Sequence, residues 1–375
     1  MNATKKPSLV YYVVARGSSV IKKNLRLLIG IAMGIFIVVT YNLFYSARDW
    51  YREQKQHDKL LIAQQTEKNT LIKNSGLINE MSHVVDQMHD ELNNSPNRML
   101  SDETISRIAA LSYSFIPYYH VEGDSISSKK LSPERGQLLL VISGMKIDTI
   151  SLQKIFQHSI FASANLAKAN LQNAFLKGIN LKGAILRGAN LEGVNLNEAH
   201  ITSADLWGTN LKYASMISAD LTSADLSWSD LNGAKLVGAK LNKAFLKSSQ
   251  IRNADLSNVS LQRADLSGAL LNETNLQGAD MLSVIMNRTN LSRANLSKIN
   301  MKTSTLIEAN LTETIFIGAT INKVNFTGAL VQEKNWFLLL DEWKVVGANE
   351  IASQYRLEAD STALIPQYYL FKRDK

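Results

Sequence analysis

The chain has no cysteine, and its five prolines leave the stretch between Pro133 and Pro366 without one. The first absence excludes a disulfide framework and any thiolate-bound metal site. The second leaves every residue of a long segment with its backbone N–H, as a segment needs when each N–H enters a β-ladder. Two further gaps lie near the N-terminus. Residues 1–26 hold Lys5, Lys6, Arg16, Lys22, Lys23 and Arg26 but no acid, and residues 27–45 hold no charge at all. Also missing are G-x-x-x-x-G-K-[ST], G-x-S-x-G and any His pair at zinc spacing, so no phosphate loop, nucleophile elbow or zinc site is expected. The chain therefore reads as non-enzymatic and without a cofactor.

What is present is a period of five. From Phe156 to Phe326 every fifth residue is large and apolar, 35 in succession: 24 Leu, four Met, four Phe and three Ile. A small or β-branched residue stands two positions before each, apart from Lys154 and Ser159 at the start. Neither regular element accommodates this spacing. Successive Leu would drift by roughly 140° round a helix, and in a strand an odd spacing would alternate faces. The chain must turn a corner about every five residues, and a winding chain that aims each Leu and Ala inward is a solenoid. Asn or Asp before most of the Leu, and Gly, Ser or Asn two residues after many, provide local side-chain bonds and tolerance of positive φ.

The repeat, read in Ala164-Asn165-Leu166, Ala204-Asp205-Leu206, Ala224-Asp225-Leu226, Ala264-Asp265-Leu266 and Ala294-Asn295-Leu296, resembles the A(D/N)LXX motif of the pentapeptide-repeat proteins. The resemblance implies an all-β solenoid, a right-handed, four-sided β-helix with four pentapeptides per coil. At about 4.8 Å between strands such a rod would be roughly 40 Å long.

Residues 27–45 predict one transmembrane helix, long enough to cross most of a hydrocarbon core of about 30 Å. The unopposed Lys and Arg before it predict a cytoplasmic residue 1–26 segment and an extracytoplasmic remainder, in a bacterial inner membrane. Gly30 and Gly34 form a G-x-x-x-G that allows two such helices to approach closely, and so a homodimer. Residues 46–95 read as a helical stalk, in which Ile78, Met81, Val85, Met88 and Leu92 follow heptad-like spacing. Residues 96–150 read as a small helical N-cap. Ser101 caps one helix, and Ser132 with Pro133 opens another that seals the first coil. This stretch resembles the segment upstream of the repeats in membrane-anchored bacterial pentapeptide proteins. Residues 151–330 are the expected β-helix and 331–375 a helical C-terminal cap, in which Trp336, Phe337, Leu338, Leu339, Leu340 and Trp343 cover the last coil.

Counting by twenties assigns residues to sides. One side collects Ile185, Trp207, Trp228, Phe245, Ile285 and Ile307; the opposite one collects Phe175, Ile217, Val237, Ile315 and Ile317. Exposed apolar groups rimmed by polar ones predict a contact surface, and tryptophan is favoured in binding hot spots. The expected function is a membrane-anchored scaffold whose Ile185, Trp207, Trp228, Phe245 and Ile285 side meets a protein partner. The alternative is imitation of DNA to protect gyrase or topoisomerase, a role the family resemblance suggests. Residues 151–330 hold 17 Lys and Arg against 12 Asp and Glu, a balance of 17 − 12 = +5 where a DNA mimic should be acidic. Lys235, Lys240, Lys243, Lys247 and Arg252 fall on different sides, so no nucleic-acid groove is expected. His158 and His200 form no metal cluster, and the Asp205 and Asp225 pair reads as turn chemistry, not as an acid–base couple.

Overall fold

The computed structural model describes the backbone of residues 9–123, 125–363 and 366–374, and their side chains from Met33 onward except those of Gly34, Ile35 and Glu122. The described chain forms two compact units: one comprises the chain up to Thr66 with Val121–Ile126, the other Glu67–His120 with Ser127–Lys375. Helix α1, Leu9–Asn94, enters both sets of residues. In the first, β1 (Val121–Glu122) and β2 (Ser125–Ile126) form an antiparallel hairpin that the sequence did not signal. Among the described residues no helix is long and apolar enough to cross a membrane. Much of the expected 27–45 span, including Gly30 and Gly34, has side chains outside the described residues.

The second unit contains the coil. In the repeat centred on Leu186, the Leu186 N–H donates to the Asp205 carbonyl one coil ahead (2.7 Å), and Gly188 N–H donates to that of Trp207 (2.9 Å). Ile185 N–H donates one coil back, to Ala164 (3.0 Å), and Ala189 N–H closes a turn onto the Leu186 carbonyl (2.9 Å). That turn needs positive φ at its third residue. Every fifth residue from Ser163 to Gly328 has it, between 54° at Ser248 and 73° at Gly178. Parallel bridges join residues twenty apart, from Asn165–Ile185 to Asn310–Leu330, so four pentapeptides make one coil and four ladders run along it. The periodic apolar residues of the coil are buried, and so are their small partners except the half-buried Ala174. Where a hydroxyl takes the small position it is satisfied locally: Thr209, Ser229 and Ser249 donate to the Leu206, Leu226 and Leu246 carbonyls at 2.6–2.7 Å.

The coil begins later than the period of five suggests. Phe156 lies in helix α4 (Thr149–His158), so the expected boundary at residue 151 is corrected to just past His158. Lys154 and Ser159 fit the repeat poorly because one is helical and the other ends the helix. Before α4 come α2 (Asp102–Ser114), capped by Ser101, and α3 (Pro133–Gly144), capped by Ser132 with proline in its first turn. Ser132 also acts as a strand residue: its N–H donates to Ser163 and its carbonyl accepts from Asn165, extending a ladder by one step. Gly136 of α3 lies so close to the Asn165 carbonyl that a Cβ would sit 2.1 Å from its oxygen. Beside it the buried Glu134 carboxylate accepts from Asn74, Tyr118 and Ser132 (2.8, 3.2 and 3.0 Å), which offsets the cost of its burial. Burial, reinforced by the Glu134 charge and hydrogen bond, pushes the Tyr118 hydroxyl well above its ordinary pKa.

The α1 residues that pack into this core are Met81, Val84, Met88 and Leu92. The heptad reading is corrected by one residue in two places. Ile78 is exposed and Val85 half-buried, whereas Val84 is buried, because α1 packs on its own chain with a phase that the sequence spacing left open. The C-terminal cap is also not purely helical. After α5 (Trp336–Glu342) and α6 (Ala348–Gln354), strands β4 (Tyr355–Ala359) and β5 (Tyr368–Lys372) join β3 (Leu330–Val331) in an antiparallel sheet ordered β3-β5-β4. Trp336 closes the core edge-on to Phe316 and Phe326, with ring centroids 6.2 and 5.7 Å away. The last coil's N–H groups find acceptors in the cap: Gly318 on Trp343, Ile321 on Val346 and Gly328 on Leu370 (2.8, 2.9 and 2.7 Å).

Leu231 is fully buried in mid-coil, so Leu231→Lys places an ammonium where neither water nor an acceptor is available. Denaturant titration should show a loss above ~4 kcal/mol, or no folding, while Lys182→Leu on the exposed surface should stay within ~0.5 kcal/mol of the parent.

Candidate partner-binding surface

Each coil side is lined by the residue that precedes the inward Leu. When that residue is Asp or Asn its side chain accepts from the N–H two positions on: Asp205 from Trp207 (3.1 Å), Asp225 from Ser227 (3.0 Å) and Asp265 from Ser267 (3.0 Å). This is the turn bond expected of Asx residues, and it accounts for the stacked Asp205 and Asp225 without acid–base chemistry. A second regularity runs between coils. A cation just after one Leu pairs with the Asp eighteen residues later: Arg187 with Asp205, Lys212 with Asp230 and Lys247 with Asp265, at 3.3, 3.2 and 3.0 Å. Partial burial works to raise the Asp265 pKa. The Ser267 hydroxyl and N–H together with Lys247 outweigh it and hold the carboxyl below its ordinary value. Among the described residues no group of three or more His, Asp or Glu is placed to hold a metal ion.

Trp207 and Trp228 lie on one corner of the coil, the turn that comes after the ladder Asn165–Ile185–Asp205–Asp225–Phe245–Asp265–Ile285. Trp207 is 40% exposed and Trp228 63%. The Arg187 guanidinium lies 4.9 Å from the centroid of the Trp207 ring, so this cation both stacks on Trp207 and pairs with Asp205. Trp228 has φ +61°, an unfavourable conformation for a bulky side chain. Its neighbour Ser227 is buried, whereas Arg187 and Lys247 in the same column are exposed.

The remaining residues of the expected surface are less united than counting by twenties implies. Phe245 and Ile285 are exposed, 48% and 39%, but Ile185 and Ile307 are half-buried. Asp205 and Asp225 separate Ile185 from Phe245 in the ladder, and Asp265 separates Phe245 from Ile285. The apolar side is thus alternately aromatic or aliphatic and acidic, with the two tryptophans as its continuous part. The opposite side exposes Ile217, Ile315 and Ile317. Lys235 and Lys240 lie in different ladders, and Lys243, Lys247 and Arg252 come after the inward Leu241, Leu246 and Ile251 of three different sides. Gly30 and Gly34 lie in α1, and their packing is outside what the structure describes. Arg187 went unnoticed in the sequence, where Asp225 reads only as turn chemistry beside Asp205; the eighteen-residue offset between Arg187 and Asp205 is the signal that finds the cation.

A family model for pentapeptide repeats matches this chain in eight copies between residues 159 and 330. Among solved structures, the chain is similar to HetL, a pentapeptide repeat protein involved in heterocyst differentiation regulation in Nostoc: 29% identity, 44% of this chain and 88% of that one, TM-score 0.27. It is similar to a pentapeptide repeat protein from the Arabidopsis thaliana thylakoid lumen at 30% identity, over 29% of this chain and 69% of that one, TM-score 0.16. Full-length QnrB1, a plasmid-mediated fluoroquinolone resistance protein, aligns at 20% identity over 38% of this chain and 90% of that one, TM-score 0.22. No curated protein matches the sequence.

Two outcomes test the local physics. Trp228→Gly and Trp228→Ala lose the same ring, but only glycine adopts positive φ freely, so thermal melts should place the Gly variant ~1 kcal/mol above the Ala variant. Because Asp265 has its pKa lowered by folding, its contribution to stability is complete above the ordinary carboxylate pKa and disappears as pH falls through the lower folded value. Asp265→Asn should therefore cost stability at pH 7 and show a shallower decline between pH 5 and 2 in acid titrations.

Proposed function

Since the chain belongs to the pentapeptide-repeat family, we propose that it is a membrane-tethered, non-enzymatic scaffold whose coil docks a protein partner along the Trp207 and Trp228 edge. The observation that carries the reading is the pair of exposed tryptophans on adjacent coils of one corner, one of them in an unfavourable backbone conformation. Within the coil Trp207 meets the Arg187 guanidinium, whereas Trp228 has no ring or cation contact among the described residues and is the more exposed of the two. Positive φ belongs to the third turn residue of every repeat, so the signal at 228 is the choice of a bulky ring and not the conformation, and tryptophan is enriched where binding energy concentrates.

The tether rests on the uncharged 27–45 segment and on the side chains described in its later part. Met33, Phe36 to Val39, Tyr41, Leu43 and Phe44 are all exposed on α1, apolar round the whole circumference. A helix with that pattern suits a bilayer and not water. The basic, acid-free residues 1–26 favour a cytoplasmic N-terminus and a periplasmic coil in a bacterial inner membrane, with Gly30 and Gly34 as the contact of a homodimer. Imitation of DNA is the weaker reading: residues 151–330 hold 17 Lys and Arg against 12 Asp and Glu, and three of the ladder acids, Asp205, Asp230 and Asp265, are paired with Arg187, Lys212 and Lys247.

Protease treatment of intact and lysed spheroplasts, followed through a C-terminal tag, tests the topology. Digestion before lysis is expected, and protection until lysis overturns the extracytoplasmic placement. Against any partner isolated with the parent, the Trp207→Ala and Trp228→Ala double variant is expected to lose at least tenfold in affinity. Unchanged affinity overturns the docking edge.

A further inference from the structure

The eighteen-residue offset does not reach every Asp of the coil: Asp220, Asp225, Asp255 and Asp280 have Thr202, Trp207, Val237 and Gln262 in the cation's place, and only Asp225 has an aromatic ring there. Asp205 has Arg187, Asp230 has Lys212 and Asp265 has Lys247, but the residue eighteen before Asp225 is Trp207, which cannot form an ion pair. Among the described residues Asp225 has no ion-pair partner; its Oδ1 accepts only the Ser227 N–H. The same carboxylate belongs to the repeat that ends in Trp228, and Phe245 is its next neighbour in the ladder. One coil earlier the chain shows what such a place accepts: the Arg187 guanidinium lies on the Trp207 ring at 4.9 Å and reaches Asp205 at 3.3 Å. An arginine there satisfies a carboxylate and an aromatic face together.

We propose that Asp225, Trp207 and Trp228 form a receptor for one guanidinium supplied by the partner, an arginine side chain that takes the place left open by Trp207. It rests on the reading of this edge as a docking surface and specifies what is docked. The carboxylate provides charge and acceptor oxygens, and the exposed parts of the two rings, Trp207 having one face already on Arg187, provide cation–π attraction, which is strongest for indole rings and commoner with Arg than with Lys. Guanidinium fits better than ammonium because its planar fork meets a carboxylate with two N–H donors while its face stacks on a ring. An uncharged or acidic partner would leave Asp225 unpaired beneath the interface, an unfavourable burial.

The test uses the full chain in detergent micelles, with N-acetyl-arginine methylamide as the probe and the isosteric, uncharged citrulline compound as control. The readout is the indole N–H signals of the five tryptophans, assigned by single Trp→Phe variants. Saturable shifts are expected at Trp207 and Trp228 and not at Trp50, Trp336 or Trp343, with the citrulline compound at least fivefold weaker. Asp225→Asn should fold normally, because Asn165 and Asn325 occupy the same ladder and make the same turn bond. It should weaken the arginine compound at least fivefold. Equal shifts from arginine and citrulline, no shift at Trp207 and Trp228, or undiminished binding by Asp225→Asn overturns the guanidinium site. If binding survives Asp225→Asn but is lost in the Trp207→Ala and Trp228→Ala double variant, the docking edge stands and the arginine assignment falls.

Discussion

The coil rests on hydrogen bonds between backbones one coil apart. Each repeat sends two N–H groups forward, one back and one across its own turn, as in the Leu186 repeat, so the backbone is satisfied only when a neighbouring coil lies on each side. Three features of the chain answer to this requirement. Proline is absent because a missing N–H would open the ladder. Repeat length is invariant because one inserted residue would shift every later bridge out of register. Positive φ recurs at every fifth residue because only that turn returns the chain to the ladder after a corner, even where the residue is Lys, Glu or Trp.

A stack of coils must also end, and each end exposes a ladder edge and an open core. The two caps solve this differently. At the first coil Ser132 is both helix cap and extra strand residue, and the absence of a side chain at Gly136 lets α3 lie directly on the Asn165 carbonyl. At the last coil Trp336 fills the core while Trp343, Val346 and Leu370 accept the N–H groups that would have gone to a further coil.

How much of this was legible depends on how local each signal is. The coil is written in every repeat, so its period, inward residues and turn positions could be read from Leu, Ala, Asn and Gly spacing, while the four sides came from the family resemblance. The α2 and α3 starts were readable at Ser101 and Ser132 because capping is decided within four residues. The start of the coil was misplaced because Phe156 satisfies the period of five and equally the apolar face of α4. The phase of α1 was missed because Leu77 and Ile78, like Val84 and Val85, are adjacent apolar residues, and only packing chooses between them. The sheet of β4 and β5 depends on pairing with β3, nearly forty residues from β5 in sequence, which no local pattern reports. At the candidate surface the tryptophans were readable as apolar outliers, but Arg187 and Asp225 are meaningful only across coils.

That last point bears on where such a chain can carry information. Inward positions accept only apolar or small residues, and the position before each Leu is held by the turn bond to Asx side chains or by ladder packing. The two turn positions are the freest, since their side chains point into solvent and their backbone geometry is set by the ladder. Across most of the coil they hold residues that serve the structure: glycine, serine, asparagine, or a cation paired with an acid eighteen residues on. Trp207 and Trp228 depart from both habits. One places a ring in the column that holds Arg187 and Lys247 on other coils, and the other places a bulky ring where glycine would be unstrained. Both departures fall on adjacent coils of one corner: Trp207 is held there by the Arg187 guanidinium, whereas Trp228 has no ring or cation contact among the described residues, so it is the position that the needs of the coil explain least.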